Sequence, residues 1–325
     1  MSVAAIVNFI DLMNRYSAER EPFMFIVDFD LKSPEIHKLN SVPSGIKYFT
    51  PLLSNVSPEQ IYTKAYSLKK HPVAFNTYLK SFENVKSNIE QGNSYLLNLT
   101  FPTVIETDLT LEEIFFSSVS KYKLLYYNQF VVFSPEIFVR ISDGKIKSFP
   151  MKGTIDASEN NAENVILNDE KEMAEHNTIV DLIRNDLSVF ADEVTVNRFR
   201  YIDEIKTKDT VLLQVSSEIS GKMRKGYESQ LGEIIISMLP AGSVTGAPKK
   251  ETVRIIRENE TYERGWYTGV FGVFDGKSLD SAVMIRFIEN ESGRFIYKSG
   301  GGITYLSDPV KEYEELISKV YVPVG

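Results

Sequence analysis

The amino-acid sequence predicts a mixed α+β fold built on antiparallel sheets. Three observations carry that expectation. Helix-like and strand-like segments cluster along the chain instead of alternating strictly, which argues against a doubly wound parallel sheet. A clear hairpin signal, Ser142-Asp143-Gly144, separates the strand-like runs at 138–141 and 145–148. An apolar content of 43% with 25% charged residues over 325 positions gives a globular chain with a sizeable core.

Taken in order, the chain opens with an amphipathic helix, because Ile6, Phe9, Ile10 and Met13 fall at helical spacing. The same stretch lacks a positive leader and carries Asp11, so it does not read as a signal peptide. Residues 23–29 form a continuous apolar run, expected as a buried strand. Helices are expected at 57–67 and at 72–91, the second closing at Gly92. A strand follows at 94–103, a short helix at 111–118 and an aromatic-rich strand at 124–132. Residues 158–168 are polar and asparagine-rich, expected as a loop, before a long helix at 170–190. Strands near 194–196 and 211–219, a helix at 227–238, a loop at 240–249 and a helix at 251–258 come next. Strands at 267–274, 281–289 and 295–299 precede a last helix at 309–320, which Asp308-Pro309 caps. No repeat, low-complexity run or clear linker interrupts the chain; its length suggests about two domains, and one large layered α/β unit over 1–325 is also possible.

Composition excludes several chemistries. A formal net charge of -8 disfavours nucleic acid and anionic membrane as partners, and no membrane span is visible, so a cytoplasmic protein is expected. The absence of cysteine removes disulfides, thiolate zinc sites and cysteine nucleophiles. His37, His71 and His176 are the only histidines, so a histidine-based zinc site has little to draw on.

Candidate chemistry centres on Lys152, in the stretch Pro150-Met151-Lys152-Gly153-Thr154. Gly153 lets the backbone approach a bound molecule closely. A lysine amine attacks only if burial or a neighbouring cation lowers its pKa from about 10.4. On the long helix Glu172, Glu175, Ile179, Leu182, Ile183 and Asp186 share a face, so Glu175 lies in line with large apolar residues and needs a cationic partner. Glu172 also suits a capping-box-like start with Asp169. On the last helix Glu312, Glu315 and Lys319 flank the apolar stripe of Tyr313, Leu316, Ile317 and Val320. They read either as a solvated edge or, with the first helix, as carboxylates for an oxygen-ligated Mg²⁺ ion.

Several segments together resemble the chorismate-utilising enzymes, over about residues 81–319. They are Ser134-Pro135-Glu136, the Lys152 stretch, Ala174-Glu175-His176 with 180–187, the loop 242–249, Arg264-Gly265-Trp266-Tyr267-Thr268-Gly269, Ile285-Arg286, and Gly300-Gly301-Gly302 through Glu312-Tyr313-Glu314-Glu315. The resemblance implies two facing, mostly antiparallel sheets with helices packed outside and the site between the sheets. Within that family, members similar to aminodeoxychorismate synthase component I carry lysine at position 152, whereas anthranilate synthases carry alanine. Isochorismate-forming relatives use a lysine base at the place of Leu96, which cannot take a proton.

The resemblance thus implies 4-amino-4-deoxychorismate synthesis, toward p-aminobenzoate and folate. Lys152 would attack chorismate and Glu136 would protonate the departing hydroxyl. Glu175 and Glu315 would hold Mg²⁺, with Glu172 and Glu312 acting through water. Arg286 and Tyr267 would take the pyruvyl carboxylate, while Gly153, Thr154, Thr245, Gly300, Gly301 and Gly302 complete the substrate site. Arg286 is expected on an alternating strand with Ala282, Met284 and Ile288. Gln214 stands where many relatives have histidine, and the family's tryptophan-binding segment has no counterpart, so no tryptophan feedback is expected. Without cysteine the chain cannot release ammonia from glutamine itself, so ammonia comes free or from a separate glutamine amidotransferase subunit. Anthranilate synthase component I is the alternative within the fold; a non-catalytic chorismate-binding protein is the alternative outside enzymes.

Overall fold

The structure, a computed structural model, describes residues 3–57, 66–206 and 211–322. Its layering can be read from one strand. Phe23–Val27 is buried throughout. Phe23, Phe25 and Val27 enter a core shared with helices, whereas Met24 and Ile26 enter a core shared with a second sheet. A strand covered on both faces has to be apolar at every position, as this one is.

The first sheet has nine strands, ordered Met151–Asp156, Val211–Met223, Lys145–Ser148, Ile137–Ser142, Leu279–Val283, Val270–Phe274, Phe23–Val27 and Glu35–Lys38, with Ala191–Lys206 also paired to Val211–Met223. The second has eight, ordered Gly246–Ala247, Leu96–Thr107, Arg294–Ile303, Phe287–Glu291, Phe130–Ser134, Tyr122–Tyr126 and Ile46–Phe49, with Leu68–His71 on Leu96–Thr107. Met24, Ile26 and Phe271 from the first sheet interdigitate with Leu124, Phe130 and Phe287 from the second. Helices Val3–Ala18, Glu170–Ser188 and Leu231–Ser237 cover the outside of the first sheet. Phe75–Glu90, Lys249–Asn259, Pro309–Ser318 and Leu111–Ser117 cover the second. The expected architecture of two facing antiparallel sheets with helices outside is therefore what forms. Among the described residues no helix is long and apolar enough to cross a membrane.

Side-chain caps set the helix starts. Asp169 accepts from the Glu172 backbone N–H at 2.8 Å, and Asp308 accepts from those of Val310 and Lys311 at 3.0 Å.

Five local expectations need correction. The aromatic stretch 124–132 is not one strand but the ends of two, Tyr122–Tyr126 and Phe130–Ser134, turning where Tyr127 adopts φ 49°. The polar segment 158–168 is not all loop: Ala162–Asn168 is helical, because Ala162 and Ile166 bury one face. The helix expected at 227–238 is a 3₁₀ turn, Tyr227–Ser229, followed by Leu231–Ser237. The strand expected at 281–289 breaks between Leu279–Val283 and Phe287–Glu291, so Arg286 lies in the break with φ 53°, not in an alternating strand. Strands Glu35–Lys38, Ile46–Phe49 and Leu68–His71 were not anticipated, being four residues each and only half buried or alternating. The helix expected at 57–67 falls mostly on 58–65, outside the described residues.

Candidate active site

Lys152 sits on Met151–Asp156, opposite Val215 of Val211–Met223. The ladder slips between Lys152 and Thr154, where Gly153 has φ +74°. The space a Cβ at Gly153 would enter is bordered by Ile166 at 3.3 Å and Glu172 Oε2 at 3.4 Å, so helix Ala162–Asn168 and the long helix close over this strand. The amine does not point into open solvent. Lys152 Nζ lies 3.1 Å from Glu175 Oε2, with the two side chains 17% and 3% exposed.

Four carboxylates converge beside it from two helices. Glu172 and Glu175 lie on Glu170–Ser188, Glu312 and Glu315 on Pro309–Ser318. Lys171 Nζ reaches all of them: Glu312 Oε1 at 2.7 Å, Glu175 Oε1 at 3.2 Å, Glu315 Oε2 at 3.8 Å and Glu172 Oε1 at 4.0 Å. Lys319 Nζ pairs with Glu315 Oε1 at 2.5 Å and donates to the Gly300 carbonyl at 2.8 Å. The reading of Glu312 as part of a solvated edge is corrected here, since it is buried.

Burial and charge pull these groups in different directions. Burial lifts Glu172 to about 7, helped by the like charge of Glu175 against Lys152 and Lys171. Burial also lifts Glu312 above the usual carboxylate range, against Lys171. Glu315 feels the same burial, yet Lys319 and Lys171 outweigh it and hold it at about 2. For Lys152, burial favours the neutral amine, but Glu175, Glu172 and Glu136 outweigh it and raise the ammonium above its ordinary range. A lysine made reactive by burial alone is therefore not what forms; its proton is held by the surrounding carboxylates.

Glu136 follows strand Phe130–Ser134 and is buried. The Ser243 hydroxyl donates to its Oε1. Burial pushes the Glu136 carboxyl up, while the Ser243 hydrogen bond, Lys152, Arg286 and Lys319 pull it down; the net direction is up. Arg286 stacks over the Tyr321 ring at 5.2 Å, and its Nε has no hydrogen-bond partner. Tyr267 is buried near Arg286 and Glu136, and both act on its hydroxyl electrostatically.

Glycines supply the wall. Gly300, Gly301 and Gly302 lie in Arg294–Ile303, paired with Thr100, Leu99 and Asn98. What they open is room for carboxylates: a Cβ on Gly302 would stand 2.4 Å from Glu175 Oε2, and one on Gly301 would stand 3.3 Å from Glu315 Oε1. Leu96 borders the same space, 3.0 Å from that Gly302 Cβ, and carries no proton acceptor. Thr245 is fully buried and its hydroxyl donates to the Ala241 carbonyl at 2.9 Å. Thr154, on the same strand as Lys152, is exposed and accepts from Gln214 Nε2 of the neighbouring strand at 3.4 Å.

Sequence reasoning did not single out four contributors. Lys171 was legible from its i,i+4 relation to Glu175. Ser243 touches Glu136 only through the fold. His176 Nε2 and Ser217 Oγ share a hydrogen bond of 2.6 Å, and Ser217 Oγ also accepts from the Arg200 N–H at 2.9 Å. This bond ties the long helix to Val211–Met223. Arg264 pairs with Glu260 at 2.6 Å, both side chains 2% exposed or less, and donates at 2.7 Å to the carbonyls of Val244 and Asn98. It pins the loop carrying Ser243 and Thr245 to the second sheet.

The glutamate cluster suits a hard divalent cation. All donors are carboxylate oxygens, and buried Glu175 Oε1 and Glu312 Oε2 make no hydrogen bond. Lys171 is an ionic neighbour of the former without hydrogen-bond geometry. Among the described residues no three carboxylate or histidine groups form a ready cage, since the Lys171 ammonium stands among them.

Comparison with known proteins agrees with this geometry. The profile of the family described as chorismate binding enzyme matches residues 24–324. An "Uncharacterized PabA-like protein" of Haemophilus influenzae is 48% identical over 328 residues, covering 100% of this chain and 99% of its own. "Aminodeoxychorismate synthase component 1" of Bacillus subtilis is 31% identical over 265 residues, 77% of this chain and 55% of its own. The crystal structure of anthranilate synthase component I from Streptococcus pneumoniae superposes with a TM-score of 0.66 at 27% identity, covering 80% of this chain and 60% of the other.

Proposed function

This chain belongs to the chorismate binding enzymes, and from that premise we propose that it makes 4-amino-4-deoxychorismate from chorismate and ammonia through a covalent intermediate on Lys152. The observation that carries the reading is the buried amine of Lys152, 3.1 Å from Glu175 and within electrostatic reach of Glu136. Chorismate is a dicarboxylate with a poor leaving group at C4. Arg286 and Tyr267 take the pyruvyl carboxylate, so the ring lies toward the glutamate cluster. Glu175 and Glu315, with Glu172 and Glu312 acting through water, would hold Mg²⁺, which when bound would supply the positive charge that the ring carboxylate needs there.

The residues then divide the chemistry. In the resting site Lys152 holds a proton and Glu136 is an easily protonated carboxyl. Moving that one proton from Lys152 to Glu136 gives both reactive forms at once. The neutral amine forms a bond to C2, both conjugated ring double bonds shift, and the C4–O bond breaks as Glu136 delivers the proton to the hydroxyl, which departs as water. Ammonia adds at C4, both double bonds shift back, the C2–N bond to Lys152 breaks, and the proton lost by the added nitrogen returns through Glu136 to the released Lys152 amine. The chain contains no cysteine, so a separate glutamine amidotransferase subunit is the fitting source of ammonia. The product suits p-aminobenzoate and folate synthesis.

Intact-protein mass spectrometry tests this. With chorismate and Mg²⁺ but no ammonia, a chorismate-derived adduct should appear on Lys152 and be absent from Lys152→Ala. With ammonia added, product chromatography should show aminodeoxychorismate; anthranilate and pyruvate released directly would assign anthranilate synthesis instead.

A further inference from the structure

The carboxylate cluster already contains a cation of its own. Lys171 Nζ lies within 4.0 Å of Glu172, Glu175, Glu312 and Glu315. Two other ammonium groups touch the cluster, but each reaches a single carboxylate: Lys152 meets Glu175, and Lys319 meets Glu315 of its own helix. Lys171 alone bridges the long helix to the last one. It joins helices that lie on opposite sheets, so its charge is a structural link as well as a local neutraliser.

We propose that Lys171 is a resident counter-ion of this pocket: it holds the four glutamates together without metal, and a divalent cation must displace it to bind, so lysine and metal compete for the same oxygens. This inference rests on the metal reading above. The occupancy is incomplete in a way a divalent ion would complete. Three ammonium groups face four carboxylates and only Lys171 reaches all four, Glu175 Oε1 makes no hydrogen bond to it, and Glu312 Oε2 has no hydrogen-bond partner. Displacement is mechanically easy. Lys171 is the second residue of Glu170–Ser188, its side chain is 21% exposed, and a four-carbon stem can swing its ammonium into water without unwinding the helix.

Lys171→Gln and Lys171→Arg separate the possibilities, with Mn²⁺ binding measured by calorimetry and thermal unfolding measured with and without Mn²⁺. Lys171→Gln should bind Mn²⁺ at least about tenfold more tightly than the parent, because one competing charge is gone. Its metal-free melting temperature should fall, and Mn²⁺ should raise it by more than it raises the parent's. Lys171→Arg, which keeps the charge, should bind Mn²⁺ no more tightly than the parent. If parent and Lys171→Gln bind Mn²⁺ equally, or the variant binds it less well, the counter-ion proposal fails while the metal reading stands. If neither binds Mn²⁺, both fail. Should Lys171→Gln fold only when Mn²⁺ is present, that supports the proposal; a variant that stays unfolded in saturating Mn²⁺ overturns it.

Discussion

Replacing Gly302 with alanine should disable the site while leaving the fold in place. The added Cβ would stand 2.4 Å from Glu175 Oε2, 2.9 Å from Glu175 Cδ and 3.0 Å from Leu96 Cδ1. An ordinary contact is about 3.5 Å, so the carboxylate must retreat by roughly 1 Å. Glu175 is 2% exposed and has little room for that movement. The displaced oxygen is the one 3.1 Å from Lys152 Nζ, so both the amine and one end of the carboxylate cluster shift with it. A misplacement of about 1 Å can cost about a hundredfold in rate, and overpacking costs about 1–3 kcal/mol in stability. Steady-state turnover of chorismate with ammonium and Mg²⁺, measured beside urea unfolding, gives both quantities. Gly301→Ala is the control, because its Cβ meets Glu315 Oε1 at 3.3 Å and Glu312 Oε2 at 3.5 Å, distances that a small side-chain adjustment absorbs. Gly300→Ala is different again: its Cβ would meet the Leu99 carbonyl oxygen at 2.2 Å, so the damage there is to the sheet. Retention of full activity by Gly302→Ala, or a larger loss in Gly301→Ala, would refute the geometry.

Three further outcomes follow from other parts of the structure. Arg264→Met leaves Glu260 buried without its cation and should cost about 3–5 kcal/mol, whereas Arg264→Met with Glu260→Met should recover part of it; a single-variant loss under about 1 kcal/mol in urea would count against the ion pair's role. Ser243→Ala removes a donor that stabilises the Glu136 carboxylate, so the Glu136 pKa should rise and the acidic limb of the activity profile should move to higher pH; an unmoved limb would take Glu136 out of the acid role. Burial, with Arg200 and Lys152 adding to it, depresses His176 to about 4 from 6.5. Its folded pKa is the lower one, so the stability it contributes is present above about pH 6.5 and is lost as pH falls toward 4, by about 3 kcal/mol in all. Urea midpoints across that range should fall less steeply in His176→Phe than in the parent, and equal slopes would show that another group is responsible.

Much of this site was legible in the sequence because chemistry and position coincide in it. A carboxylate in line with Ile179 on one helical face demanded a cation, and Glu175 has two. Asp169 and Asp308 announced their helices by capping them. What stayed hidden depends on the fold. Arg286 read as a strand residue because apolar neighbours alternate around it, yet the chain breaks there at φ 53° and so frees its guanidinium from the sheet. Helix Ala162–Asn168 lies in a run of asparagines whose propensity is weak, and burial of Ile166 beside Gly153 overrides it. The Ser243–Glu136 and His176–Ser217 contacts join residues 107 and 41 positions apart, and no local pattern encodes either. The charge state of Lys152 was the least legible, because it depends on whether burial or three carboxylates wins, and the carboxylates do.

Neither sheet carries a complete site. The first sheet supplies Lys152 and, through the helix packed on it, Glu172 and Glu175; the second supplies the glycine wall and, through its own helix, Glu312 and Glu315. Arg286 stands in the connection that passes from Leu279–Val283 in the first sheet to Phe287–Glu291 in the second. On the proposed reading, a ligand with an anionic group at each end would span that junction, one end at Arg286 and the other at a metal held by the glutamates, so its binding should tighten the register of one sheet against the other. The same geometry explains why polar pins are concentrated here. Facing apolar side chains such as Met24 and Phe287 attract without fixing a register strongly, whereas Arg264, with Glu260 and two backbone carbonyls, is satisfied in one arrangement only, and Lys171 links the two helices while it holds the glutamates. The apolar sandwich holds the sheets together; these buried charges determine where Lys152 comes to rest relative to the carboxylates it must work with.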